Sequence, residues 1–187
     1  MEYVCLLSPL VALLSKVKCR FSRVNGIVIP RKSGKTHLAK VLEKKNYIIL
    51  DIENSVKLHI SNDELRKLEE LQNSHETQSY NNYYFPICRK FFNQLQKDFK
   101  HKSFLVLSSD PELLKYLGVK NILYLTPSNK LYNQIIQNMS LDEVGKRLLQ
   151  ASRDTIIQSS GKHLTAYDTF ENLIQIVSNK FGLHYKI

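Results

Sequence analysis

Cysteine is scarce in this chain and follows no pairing pattern. Cys5, Cys19 and Cys88 are three, odd in number and widely spaced. No CxxC and no Cys/His cluster accompanies them. That argues against a disulfide framework or a structural zinc module and fits reduced thiols in a cytosolic-type compartment. The six histidines are scattered and form no HExxH-like pair, so a zinc site is not expected. No Ser-His-Asp arrangement can be read from spacing. No apolar run is long enough to span a bilayer. Residues 3–14 are apolar but are broken by Ser8 and Pro9 and followed by Lys16, Lys18 and Arg20. Glu2 stands where a secretory leader carries basic residues, and no small-residue cleavage site is clear. Two readings of residues 1–23 stay open: an apolar segment packed on the domain or on a second copy of the chain, and an interfacial segment with trailing cations. Repeats and Gly/Ser or Pro linkers are absent too, so residues 24–187 read as one domain.

What is present begins with charge. The chain has 187 residues, 43% hydrophobic and 24% charged, which suits one hydrophobic core. Its 27 Lys and Arg against 17 Asp and Glu give a net charge of +10. Such a surface favours polyanions: nucleotides, nucleic acid or an acidic membrane.

The most informative stretch is Ser33-Gly34-Lys35-Thr36. Before it, Gly26-Ile27-Val28-Ile29 reads as a short buried strand. After it, residues 37–44 carry apolar side chains at helical spacing. A strand, a tight basic loop and a helix opening on Gly-Lys-Thr make a phosphate-binding P-loop. Backbone amides at the helix start would face an anion. Arg31, Lys32, Ser33, Gly34, Lys35 and Thr36 are the candidate nucleotide-binding residues, with Lys35 reaching the β- and γ-phosphates and the Thr36 hydroxyl holding Mg²⁺. The motif is degenerate. Ile29 stands where the first glycine of G-x-x-x-x-G-K-[ST] belongs, and Arg31 and Lys32 fill positions that are often small.

The remaining elements alternate. Tyr47-Ile48-Ile49-Leu50-Asp51 reads as a buried strand ending in an acid. Ser61 and Glu64 form a capping-box pattern that opens a helix over 62–73. Residues 75–82 are polar and predict a mobile loop, and a helix is predicted over 85–101. Residues 104–109 form another strand. Asp110 then caps a helix with Pro111 at its first position and Gly118 at its end. A strand over 121–126 and a helix reaching 139 follow. The pattern from Ser140 to Glu143 opens a basic helix over about 141–160, ended by Gly161. A short strand over 164–167 and a helix ending before Gly182 close the chain. The predicted class is α/β: about five parallel strands, right-handed crossovers and helices on both faces. The P-loop, Asp51, Ser108, Ser109, Asp110 and Thr126 all fall at the carboxyl ends of strands, where such sheets bind ligands.

With these elements in place, residues 24–182 resemble the small P-loop kinases, the nucleoside, nucleoside-monophosphate and shikimate kinase group. The resemblance rests on Ser33-Gly34-Lys35-Thr36, on Asp51-Ile52-Glu53 and on a basic segment before the last strand and helix. It implies a three-layer P-loop NTPase fold with strand order 2-3-1-4-5, ATP as phosphoryl donor, Mg²⁺, an acceptor site near strand two and an arginine-bearing lid. Asp51 and Glu53 match acids that bind acceptor or metal. Arg89 lies where an acceptor-binding arginine is often placed, and Arg147 and Arg153 resemble a lid over 141–160. Chemically, Lys35, Mg²⁺ and one lid arginine would neutralise the phosphoryl oxygens. Asp51 would accept the acceptor's hydroxyl proton or hold the metal through water. Asp110 reads both as a metal candidate and as a plain helix cap. Tyr80, Tyr83, Tyr84 and Phe85 read as core or as a base-stacking cluster.

Two functions remain open on sequence grounds. The first is an ATP-dependent kinase for a nucleoside, nucleotide or similar small acceptor, cytoplasmic, with a second copy of the chain as a candidate partner. The second is a non-catalytic protein on the same fold that binds RNA or DNA or serves in an assembly, a viral one included. A motor or switch NTPase is disfavoured, because no Walker B acid directly follows the apolar run over 104–107.

Overall fold

The computed structural model describes residues 23–74 and 76–185. The readings made for residues 1–22 lie outside the described residues.

Five strands form one all-parallel sheet: β1 (Val24–Val28), β2 (Tyr47–Asp51), β3 (Ser103–Ser108), β4 (Asn121–Pro127) and β5 (Leu164–Tyr167). Their order across the sheet is β2-β3-β1-β4-β5. Among the described residues eight α-helices connect and flank them: α1 (Lys35–Val41), α2 (Ile52–Lys57), α3 (Asn62–Asn73), α4 (Thr77–Asp98), α5 (Pro111–Tyr116), α6 (Asn129–Gln137), α7 (Glu143–Ser160) and α8 (Phe170–Phe181). A small antiparallel pair, Leu42–Glu43 with His184–Tyr185, ties the end of α1 to the chain beyond α8.

The two-residue period of the strands sorts the core into two halves. Phe104, Val106 and Val28 point to one face and pack with Leu113, Leu114, Phe92, Phe85 and Ile156. Leu105, Leu107, Ile27 and Ile29 point to the other and pack with Leu38, Leu173, Val177 and Phe181. Residues 104–107 are fully buried because helices cover both sides, which is why this strand reads as an unbroken apolar run. At Gly26 helix and sheet approach closely. An added Cβ would lie 2.8 Å from Leu114 and 2.9 Å from Val119.

Several boundaries differ from the sequence reading. Residues 77–82, predicted as a mobile loop, are the first turns of α4. Their helix propensity is poor, but Tyr80 and Tyr84, one turn apart, stack with ring centroids at 5.4 Å, and Tyr84 is buried in the core. Packing of one face overrides the local preference. The same helix stops at Asp98 rather than 101. It also tolerates Pro86 in its interior, at the loss of one amide donor. Helix α2 has no counterpart among the sequence-predicted elements. It has six residues and shows only one apolar pair at helical spacing, Ile52 and Val56, both fully buried. The start of α7 is capped by Asp142, whose carboxylate accepts from the Gly145 amide at 2.7 Å, and not by Ser140. Ser61 and Glu64 do form the expected reciprocal cap of α3.

Candidate functional site

The chain leaves the sheet after Ile29, which is fully buried and still donates its amide to the Ser108 carbonyl at 3.0 Å. The β-branched residue that replaces a loop glycine is therefore part of the core, and the loop proper begins at Pro30. It turns tightly: the Ser33 amide donates to the Pro30 carbonyl at 3.3 Å, with Lys32 at φ 62° between them. A lysine in left-handed conformation costs of order 1 kcal/mol, and such cost persists where the surroundings over-determine the backbone. Gly34 follows at φ 92° and sits against the Phe170 ring, which an added Cβ would approach to 3.0 Å. Two far-off groups pin the loop. The buried Tyr167 hydroxyl donates to the Ser33 carbonyl at 2.8 Å. Ser152 of α7 accepts the Arg31 amide at 3.3 Å.

Helix α1 starts at Lys35, immediately after Gly34. Among the described residues, the amides of Lys32, Gly34, Lys35 and Thr36 have no acceptor. Unpaired donors at a helix start are the usual consequence of helix geometry, and they favour an anion in front of them.

The side chains here converge on two acids. Lys35 is buried, and its ammonium lies 3.1 Å from Asp51 Oδ1 and also bonds Glu53 Oε2. The Thr36 hydroxyl donates to Asp51 Oδ2 at 2.7 Å. Asn54 donates its side-chain amide to both Thr36 Oγ1, at 2.7 Å, and Asp51 Oδ2, at 2.9 Å. Asp51 holds this position because it ends β2 and caps α2, accepting from the Asn54 amide at 3.4 Å. Glu53 sits in the first turn of α2. Its Oε1 takes the Ser108 hydroxyl at 2.8 Å, the Ser109 amide at 2.7 Å and the Ser109 hydroxyl at 2.8 Å. Strand β3 ends one residue earlier than the sequence predicts, and that frees the Ser109 amide for this bond. Burial pushes the Glu53 carboxyl upward. The Lys35 charge and the hydrogen bonds from Lys35, Ser109 and Ser108 outweigh it, so its pKa lies below the ordinary glutamate value.

The other sequence-predicted residues are distributed differently. Asp110 caps α5, accepting the amides of Glu112 at 2.8 Å and Leu113 at 3.3 Å through Oδ1. Burial raises its pKa against the pull of those two amides. Arg153 donates to Thr126 Oγ1 at 3.2 Å, to the Pro127 carbonyl at 3.3 Å and to Asn129 Oδ1 at 2.6 Å, and it lies over the Tyr132 ring. It thus fastens α7 to the end of β4. Arg147 is exposed on α7. Arg89 lies over the Tyr116 ring and lines a groove between α4 and α5 to which no residue of the 30–36 loop contributes. Among the described residues no three His, Cys, Asp or Glu side chains converge as a metal cage. No described helix is long and apolar enough to cross a membrane.

Sequence reasoning did not single out Asn54, Ser152 or Tyr167. Asn54 carries a faint signal, since it stands three residues after an acid that can cap a helix. Ser152 and Tyr167 carry none, being 121 and 134 positions from their partners.

No family model and no curated protein sequence matches the chain.

Proposed function

We propose that this protein is a P-loop nucleotide-binding protein that transfers a phosphoryl group from a nucleoside triphosphate to a small hydroxyl-bearing acceptor. One observation carries the reading. Lys35 and Thr36 follow a tight turn at the carboxyl end of a parallel sheet, with free amides beside them, and both side chains meet Asp51 at the end of the next strand. The strand order β2-β3-β1-β4-β5 supports assigning the fold to the P-loop NTPase type.

The residues fit the roles. Free amides at 32 and 34–36 would cradle the phosphates. Lys35 would exchange the Glu53 carboxylate for a phosphate oxygen. Thr36 Oγ1 and Asp51 Oδ2, 2.7 Å apart, are adjacent hard oxygens of the kind Mg²⁺ takes alongside waters and phosphates. When bound, the ion would add positive charge at the phosphoryl oxygens. Departure of Lys35 would free Glu53 Oε2, while Oε1 stays fixed by Ser108 and Ser109. Glu53 would then take the proton of the acceptor hydroxyl as that oxygen bonds to phosphorus and the nucleoside diphosphate leaves.

The acceptor side is lined by a carboxylate and hydroxyls: Glu53, Ser108 and Ser109. Arg89 is turned to the α4–α5 groove. A neutral acceptor of the nucleoside kind suits this wall better than one carrying a phosphate or carboxylate.

Calorimetry with Mg-ATP on the wild type and on Lys35→Ala tests the reading. Wild-type binding lost by at least about tenfold in the variant supports it, because a charge-assisted phosphate contact contributes about 1.5–3 kcal/mol. Equal affinity of both proteins removes it. A thermal-shift panel of ATP, GTP, nucleosides and nucleoside monophosphates then ranks donor and acceptor.

A further inference from the structure

On the outer face of α4, Arg89, Lys90 and Lys97 line an open groove of about 490 Å³ against Tyr116 of α5. This is far along α4 from Tyr80 and belongs to no part of the phosphate loop. Its cations differ from those on the other helices. Arg66, Lys67, Lys115 and Lys146 each pair with an acid three positions away, Asp63, Glu70, Glu112 and Glu143. Around Arg89, Lys90 and Lys97 the positions three and four away are Phe85, Pro86, Ile87, Phe92, Asn93, Gln94, Lys100 and His101. None is acidic, and among the described residues these three bases make no ion pair. The acids nearby accept hydrogen bonds from neutral donors. Asp98 accepts from Gln94 at 2.8 Å. Glu64, which acts on Lys90 from α3, accepts the Ser61 amide at 2.9 Å.

Aromatic surface runs along the same groove. Tyr116 is 36% exposed, and the Arg89 guanidinium lies 4.7 Å from its ring centroid. Phe85 supports the ring from beneath with centroids 5.5 Å apart. A guanidinium close over a ring offers a surface on which a base can stack. From Arg89 to Lys97 the helix rises about 12 Å, a length matching about three nucleotides of one strand.

We propose that this groove binds single-stranded nucleic acid, with Lys90 and Lys97 on phosphates and Arg89 and Tyr116 against bases. Cations without an ion-pair partner alone would suit any polyanion. The exposed aromatic and stacked arginine favour unpaired bases over a duplex, an acidic peptide or an anionic membrane. The proposal stands apart from the phosphate loop.

Fluorescence anisotropy of the full chain with a labelled single-stranded 12-mer tests it. Two phosphate-bound lysines give a salt slope near −1.4, so wild-type affinity falls about sevenfold between about 50 and 200 mM salt. Lys90→Glu/Lys97→Glu weakens binding at least about tenfold and flattens the slope, while the control reversal Lys67→Glu/Lys146→Glu leaves binding close to wild type. Tyr116→Ala, folded by its melting curve, weakens binding at least about fivefold. Lys35→Ala, shown folded by its melting curve, binds the oligonucleotide as the wild type does, which separates this groove from the nucleotide site. The proposal is overturned by wild-type binding in Lys90→Glu/Lys97→Glu, by equal losses in the control reversal, or by loss of binding in folded Lys35→Ala. Equal affinity for duplex with no effect of Tyr116→Ala also overturns it, as does binding to anionic vesicles with no oligonucleotide signal.

Discussion

The hydroxyl of Tyr167, the last residue of β5, donates to the carbonyl of Ser33 in the 30–36 loop at 2.8 Å. Both residues are buried, at 2% and 4% exposure, so water cannot replace the bond. Burial also holds the phenol well above its ordinary pKa, which keeps it a donor at every working pH. Tyr167→Phe therefore leaves a buried carbonyl unpaired, at about 1–3 kcal/mol. For a chain of this size that lowers the melting temperature by about 2–4 °C per kcal/mol. Because the lost bond shapes the loop, Mg-ATP affinity falls as well. Paired melting curves and calorimetry check both, and an unchanged nucleotide affinity would show that the loop holds its shape without Tyr167.

Lys35 neutralises two acids at once, so removing it does more than remove a positive charge. Lys35→Met leaves Asp51 and Glu53 facing each other without their cation and costs about 3–5 kcal/mol. Lys35→Met/Glu53→Gln recovers part of that loss, because one of the two unpaired charges is gone. Denaturant titrations of the wild type, both single variants and the double variant give the coupling energy, expected at about 0.5–3 kcal/mol. Additive losses would mean that the ammonium and the Glu53 carboxylate act independently.

Much of the fold was legible for a simple reason. Apolar runs such as Phe104 to Leu107 and caps such as Ser61 and Thr169 act within a few residues, where sequence is a direct record of structure. Lys35, Thr36 and Asp51 were legible too, as loop and strand-end residues, and the structure brings them together. What stayed hidden depends on topology. Ser108 and Ser109 look like any strand end until β3 lies beside β2 and sets them against Glu53. Arg153 resembles a lid arginine in sequence, but its place over Tyr132 and three hydrogen bonds fix it to the end of β4. Residues 77–82 looked like a loop because their polar composition hides Tyr80 and Tyr84, one turn apart.

Acid should remove what Glu53 contributes to stability. The Glu53 carboxyl titrates below its ordinary value in the folded protein. Its contribution to stability is therefore fully present above the unfolded glutamate pKa of about 4.3 and disappears as pH falls through the lower folded value. Glu53→Gln lacks this term. The melting-temperature gap between wild type and Glu53→Gln is expected to be constant from about pH 5 to 7 and to shrink steadily below about pH 4. A gap that stays constant down to about pH 3 would show that Glu53 gains nothing from Lys35 in the fold.

Cys88 is expected to be chemically silent in the native protein. It is fully buried on the inner face of α4, between Tyr84 and Phe92 in the same core cluster. Burial pushes its thiol up to about 12, against the weaker downward pull of the hydrogen bond from Tyr84. At about pH 8.5 fewer than roughly one molecule in a thousand carries the thiolate that reacts. Iodoacetamide followed by peptide mass spectrometry should leave Cys88 unmodified in the native state and alkylate it in about 6 M guanidinium. Alkylation under native conditions would require α4 to lift from the sheet. The same helix carries Arg89, Lys90 and Lys97, so such lifting would disturb the proposed groove as well.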